Sequence, residues 1–215
     1  MNLTRYVDGY CERVEPGLWA EPLNAVTNLA FLLAAVVMWR RTGGAGLAGV
    51  LCVLLGLIGL ASGAFHTMAV VWTAAADSIS IVVFVLVYLY AANRQFLDLA
   101  PIWAFGGVML ALPYFGMMAA VFSLIPALGS SAVYAPVVLL IALYGLWLAP
   151  RRATVARGLL LGAGVLLVSL TLRTLDAPLC ASLPMGTHFW WHILNAVMLA
   201  WMIEVYHRST LANGG

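Results

Sequence analysis

The sequence contains no lysine, and its 215 residues carry only 8 acidic side chains and 10 arginines. Without lysine there is no Schiff-base chemistry, which excludes a retinal-type chromophore. Charged residues make up 8% of the chain, where a soluble domain carries roughly a quarter, so a water-solvated surface is excluded as well. The chain shows no internal repeat, no linker, no low-complexity tract and no second domain. Its formal charge of +2 is no footprint of a nucleic-acid partner, and no obligate protein partner is evident.

What fills the chain instead is apolar: 64% of it is hydrophobic, in long runs that recur from residue 23 onward. In lipid the backbone must satisfy its own hydrogen bonds, which leaves helices or closed barrels. The runs are continuous rather than alternating, so the expectation is all-α. A span needs about 20 apolar residues, and seven stretches qualify: 23–39, 45–66, 74–92, 102–122, 132–149, 153–172 and 186–205. The expected architecture is an integral membrane seven-transmembrane-helix bundle over 23–206, with a short acidic N-terminal segment, 1–22, and a C-terminal tail, 207–215. Pro113 and Pro136 fall inside the fourth and fifth spans and are expected to kink them. The first 22 residues hold four of the acidic side chains and lack the basic start and apolar middle of a signal peptide, so they are expected to be retained.

Seven spans put the termini on opposite sides. Arg40, Arg41, Arg94, Arg151, Arg152, Arg157 and Arg208 share the side of the C-terminus, whereas Arg5, Arg13 and Arg173 share the other. Short arginine-rich loops stay in the cytoplasm, which places the C-terminus there and the N-terminus outside.

Ionisable residues inside a membrane are costly, and each is a candidate site residue. Ser62 and His66 end the second span, Asp77 opens the third, and His188 and His192 open the seventh. The spacing of four puts Ser62 with His66, and His188 with His192, on one helix face, and it is also the spacing of an H-x-x-x-H metal pair. The topology brings all five residues to one depth near the outer face. Three neutral imidazoles with an open position form a catalytic zinc arrangement, and Asp77 is placed to orient or deprotonate a reacting water. Other readings remain: the histidines as a proton relay or an interhelical hydrogen bond, and Ser62, beside Gly59 and Gly63, as a small-residue packing contact. Cys52 lies several turns below His66, too deep to be a fourth ligand, and His207 reads as an interfacial residue.

The same residues carry a family resemblance. Ser62-x-x-x-His66, Asp77 eleven residues later, and His188-x-x-x-His192 in the last span resemble the alkaline ceramidase family, part of a wider superfamily that includes the adiponectin-type receptors. Tyr10-Cys11-Glu12 and the run Glu21-Pro22-Leu23-Asn24-Ala25-Val26-Thr27-Asn28 resemble its N-terminal region. The resemblance implies zinc on His66, His188 and His192, with Asp77 acting on the water and Ser62 stabilising the oxyanion. It implies calcium in the acidic segment, with Glu12, Glu21, Asp8 and the Tyr10 carbonyl as the matching positions. This chain departs from that pattern: Gly9 stands where the family has aspartate, and the gap from Cys11 to the second glutamate is shorter. Calcium takes six to eight oxygens, and the same carboxylates also read as a solvated acidic segment. Cys11 and Cys180 both fall on the outer side, where an oxidising compartment permits a disulfide and two free thiols are the alternative.

The resulting expectation is a zinc-dependent amidase that cleaves the N-acyl bond of ceramide or a similar membrane lipid. The alternatives are a zinc-dependent phospholipid esterase, a lipid-binding or receptor-like protein with structural zinc, and a proton-coupled transporter. Orientation is testable directly. In an Arg208→Cys variant lacking Cys52, thiol reagents are expected to label position 208 from the cytoplasmic face alone; labelling from outside reverses the assignment.

Overall fold

The computed structural model describes residues 2–7, 9–13 and 15–213. Among them the regular structure is helical, apart from one isolated antiparallel bridge between Tyr6 and Val70. Helix α1 (Pro22–Thr27) begins with proline in its first turn, where the missing N–H costs nothing. It continues past Asn28 into α2 (Leu29–Thr42), which has Arg40 and Arg41 in its last turn and stops at Gly43 in a left-handed conformation, φ 72°. Helix α3 (Gly46–Met68) ends on a left-handed alanine, Ala69, and α4 (Val71–Phe96) returns across the bundle. Then follow α5 (Pro101–Ser123), a 3-10 segment (Pro126–Val133), α6 (Ala135–Leu148), α7 (Ala153–Leu179) and α8 (His188–Asn213).

Five of these units are long and apolar enough to cross a membrane, counting Pro22–Thr42 as one, and six are if Pro126–Leu148 is a single broken span. That last pair bends by 73°. The bend corrects the expected role of Pro136, which opens α6 in its first turn instead of kinking a helix. Pro113 does lie inside α5. The seventh expected span, α8, is 26 residues long but does not qualify on composition, because it carries His188, His192, Asn195, Glu204, His207 and Arg208. It also runs past residue 206 to Asn213, so most of the expected tail is helix.

The surface has the character of a lipid-facing one. On α5, Ile102 and Leu110 are 69% and 74% exposed, and they belong to an apolar band that water would not tolerate. The polar α8 avoids that exposure by its position: it packs against α7, α2, α3, α1 and α4. Leu51, Leu55 and Ile58 of α3, Phe84 of α4, Leu159 of α7 and Ile203 of α8 form the fully buried centre.

The N-terminal segment straps the end of the bundle that holds the α3–α4 turn and the α7–α8 loop. Val7 donates to the Ala69 carbonyl at 2.8 Å, and Val71 and Trp72 donate back to Arg5 and Leu3. Further along, Cys11 is disulfide-bonded to Cys180 in the loop before α8. One strap therefore joins the α3–α4 turn to the α7–α8 loop.

Close helix approach depends on glycine. A Cβ at Gly158 of α7 would lie 2.6 Å from Cγ2 of Val205 on α8, whereas one at Gly164 on the same helix would meet nothing within 4 Å. Val205 is β-branched and has little rotamer freedom to retreat. Gly158→Ala is expected to cost about 1–3 kcal/mol and Gly164→Ala essentially nothing, read as thermal unfolding in micelles; equal midpoints would show that α7 and α8 do not pack this way.

Candidate metal centre

The site lies where the last turn of α3 meets the first two turns of α8. His66, His188 and His192 are each at most 2% exposed, and one potential ligand atom from each lies within 4.8 Å of the others. Nε2 of His66 and Nε2 of His192 face each other at 3.1 Å.

Their outer nitrogens determine what those inner atoms carry. Nδ1 of His66 is 2.5 Å from Oε2 of Glu21, and a carboxylate can only accept, so Nδ1 holds the proton. The Thr27 hydroxyl donates to the Leu23 and Asn24 carbonyls, so at 2.9 Å it accepts from Nδ1 of His192. Both Nε2 atoms are thus bare acceptors directed at each other. Two lone pairs at this distance repel unless a cation lies between them. Nδ1 of His188 is buried with no hydrogen-bond partner, and a metal ion would satisfy it too. The donor set fits one metal ion.

His188 is held from two sides. The Asp176 carboxylate, buried near the end of α7, accepts the N–H groups of Thr187 and His188 through Oδ1, at 2.7 and 2.9 Å, and that of Cys11 through Oδ2 at 3.0 Å. It caps the start of α8 and holds the strap at the same time. Gly186 makes this possible: it has φ +66°, and a Cβ there would sit 2.1 Å from Oδ1 of Asp176. On the other face the Tyr10 ring stacks on His188 with centroids 3.6 Å apart. Burial pushes the Tyr10 phenol up to about 12, and Arg173 donates to its oxygen at 3.3 Å.

Asp77 lies beside this group, close enough to Ser62, His66 and Arg173 to feel their charge or hydrogen bonding. Its Oδ1 is buried without a partner. Ser62 is buried one turn before His66.

The carboxylates expected to take calcium are otherwise engaged. Glu12 accepts the N–H groups of Leu23 and Asn24 at 2.6 and 2.8 Å, at the start of α1. Glu21 divides its oxygens between Arg13, at 2.5 Å, and His66. Burial acts to raise the Glu21 carboxyl, but the hydrogen bonds and charges of His66 and Arg13 outweigh it and hold the group below the usual carboxylate range. Tyr10 contributes its ring to the site, and Asp8 lies outside the described residues.

Below the histidines, a partly open apolar cleft descends through the bundle. Phe31, which meets His192 edge-on, and Trp191 line its upper end, and Ala92 and Met202 line its lower one. From Trp191 to Met202 the helical rise is about 16 Å.

Against protein-family models, residues 9–213 match the one described as Ceramidase. The chain belongs to the ceramidase family. A search among curated proteins returned no match. In this ceramidase-family chain, Arg13, Thr27, Asp176 and Arg173 are site residues that sequence reasoning did not single out. Thr27 lies within the run Glu21–Asn28, and Asp176 is the one acid of α7, which is the signal that could have found it.

Asp176→Ala leaves two buried N–H groups and a part-buried one without their acceptor and is expected to destabilise by at least about 2 kcal/mol. Asp176→Asn keeps a carbonyl oxygen and should lose less. Equal unfolding midpoints for wild type and Asp176→Ala in micelles would remove the carboxylate from its capping role.

Proposed function

We propose that this protein is a zinc-dependent hydrolase of the bilayer that cleaves the N-acyl amide of ceramide or a similar lipid, releasing a fatty acid and a long-chain amine. The observation that carries the reading is the pair of bare imidazole nitrogens facing each other at 3.1 Å, at the head of an apolar cleft. Membership of the ceramidase family supports the lipid amide as substrate.

His66 and His192 through Nε2, with His188, would hold the ion. Neutral imidazoles suit zinc, and ligand nitrogens of a tetrahedral zinc lie about 3.3 Å apart. Bound there, zinc supplies a Lewis acid for an acyl carbonyl and lowers the pKa of a water to about 7.

The chain's own groups do the rest. Asp77, with an unpartnered Oδ1, accepts the proton of the attacking water and returns it to the leaving amine. Ser62 donates its hydroxyl to the oxyanion that develops on the carbonyl. The cleft takes an alkyl chain, and its apolar walls keep bulk water from the reacting bond. In this reading α8 is the seventh membrane crossing, shielded by its neighbours. The site and N-terminus face the non-cytoplasmic side and the C-terminus faces the cytoplasm.

Purified protein offered ceramides, N-acyl amino lipids and phospholipids, with and without a zinc chelator, is expected to release fatty acid from an amide lipid only while zinc is retained. Chelator-sensitive release from phospholipids alone would make it an esterase. No release by zinc-loaded protein would favour a lipid-binding or receptor-like role. Asp77→Asn is expected to keep its zinc and lose about 10²–10⁴-fold in turnover; undiminished turnover would remove Asp77 from the proton transfer.

A further inference from the structure

Arg13 is a cation where a cation is costly. Its side chain is fully buried, and so is that of Glu21, its one counter-ion among the described residues, at 0% and 1% exposure. Taking such a pair out of water carries a penalty of several kcal/mol per ion unless the geometry is very good.

The geometry converges on a single residue. Nε of Arg13 donates to Oε1 of Glu21, whose Oε2 receives Nδ1–H of His66. Nη2 donates at 3.0 Å to the backbone carbonyl of the same His66. That carbonyl lies in the last turn of α3, where helix carbonyls lack intrahelical partners, and the N–H four residues on, of Val70, is given to the Thr73 hydroxyl instead. Nη1 donates to the Gly17 carbonyl at 3.1 Å, closing the loop between Arg13 and Glu21. The Tyr6 ring covers the guanidinium at 5.6 Å. One side chain therefore fixes both the backbone and, through Glu21, the ring of a metal-ligand candidate.

We propose that Arg13 is a positioning residue of the metal centre. As a permanent internal counter-ion it holds Glu21 against Nδ1 of His66, so that Nε2 faces the metal and the acidic segment is ordered without an added divalent cation. This rests on the zinc reading above. The donor count supports the assignment: a guanidinium presents five N–H groups in a fixed fork and never gives up its charge, whereas an ammonium at the same place could not reach Glu21, Gly17 and His66 together. Glu12 and Glu21 have both carboxylate oxygens committed. Calcium, which needs six to eight oxygens, would have to displace these contacts.

The test is a zinc-retention titration. Wild type, Arg13→Gln, Glu21→Gln and the double variant are equilibrated against a graded zinc chelator, bound zinc is counted by mass spectrometry, and thermal unfolding is followed in parallel, each with and without calcium. Wild type is expected to hold zinc with the same affinity and midpoint whether or not calcium is present. Arg13→Gln and Glu21→Gln are each expected to lose about 10–100-fold in zinc affinity. The double variant should lose no more than the larger single loss, because the two residues act in one chain of contacts. It leaves no buried charge unpaired and so stays informative if Arg13→Gln misfolds. Arg5→Gln, on the exposed part of the strap, should behave as wild type. Wild-type zinc affinity in folded Arg13→Gln or in the double variant would overturn the proposal while leaving the zinc reading standing, as would a calcium-dependent gain in wild-type affinity. Absence of zinc from wild type would overturn both.

Discussion

Three imidazoles packed together in an apolar bundle repel or strand one another unless each ring nitrogen finds a partner, and the end of the bundle that holds them is organised by that requirement. Outward-facing nitrogens are taken by Glu21 and Thr27, which leaves the inward-facing ones bare. Glu21 in turn needs Arg13, since a buried carboxylate without a counter-ion is far more costly than the hydrogen bond it makes. Arg13 needs the loop from Gly17 and the end of α3 as acceptors. Each polar group below water level therefore commits the next, and the N-terminal strap is the outcome of that sequence of commitments.

The same logic explains why the strap is joined at two ends. His66 arrives on α3, and His188 and His192 arrive on α8, far apart in the chain. Their relative placement depends on the α3–α4 turn and the α7–α8 loop keeping a fixed separation. Backbone hydrogen bonds of Val7, Val71 and Trp72 hold the strap to the first. The Cys11–Cys180 disulfide and the Asp176 carboxylate hold it to the second. Asp176 also fixes the first N–H groups of α8, so the orientation of His188 and the attachment of the strap share one carboxylate.

Much of this was legible from residue types alone, for a physical reason. In a chain with so few charges, an ionisable residue in an apolar run stands out, and the four-residue spacing on a helix decides which side chains share a face. The clustering of His66, His188 and His192 at one depth followed from span order. What did not follow were contacts made across the strap. Nothing in the local pattern distinguishes an arginine that snorkels to water from one buried against Glu21, and Arg13 was counted only as a charge on the outer side. Glu12 and Glu21 match the cation-ligand pattern through their sequence neighbourhood; the contacts they make, Glu12 with two backbone N–H groups and Glu21 with Arg13, His66 and Asn24, are set by how the loop closes. Pro136 was misjudged because a 3-10 segment with a left-handed Gly129 ends just ahead of it, and proline at a helix start carries no kink.

The polarity of α8 is where fold and function impose opposite demands. A helix bearing two candidate-ligand histidines, an asparagine and a glutamate is a poor membrane span by composition. It is tolerated because five other helices pack against it and its Asn195 and Glu204 side chains are satisfied: Asn195 donates to the Ser169 hydroxyl and the Trp191 carbonyl, and Glu204 accepts from Arg41 and Arg208. The apolar side chains between those groups, Trp191, Met198, Leu199 and Met202, line the cleft. One helix thus carries metal-ligand candidates at its N-terminal end and part of the cleft's apolar lining along its length. In the proposed hydrolase reading, the acyl carbonyl of a lipid lying along α8 would be brought to the histidines by the register of the helix itself.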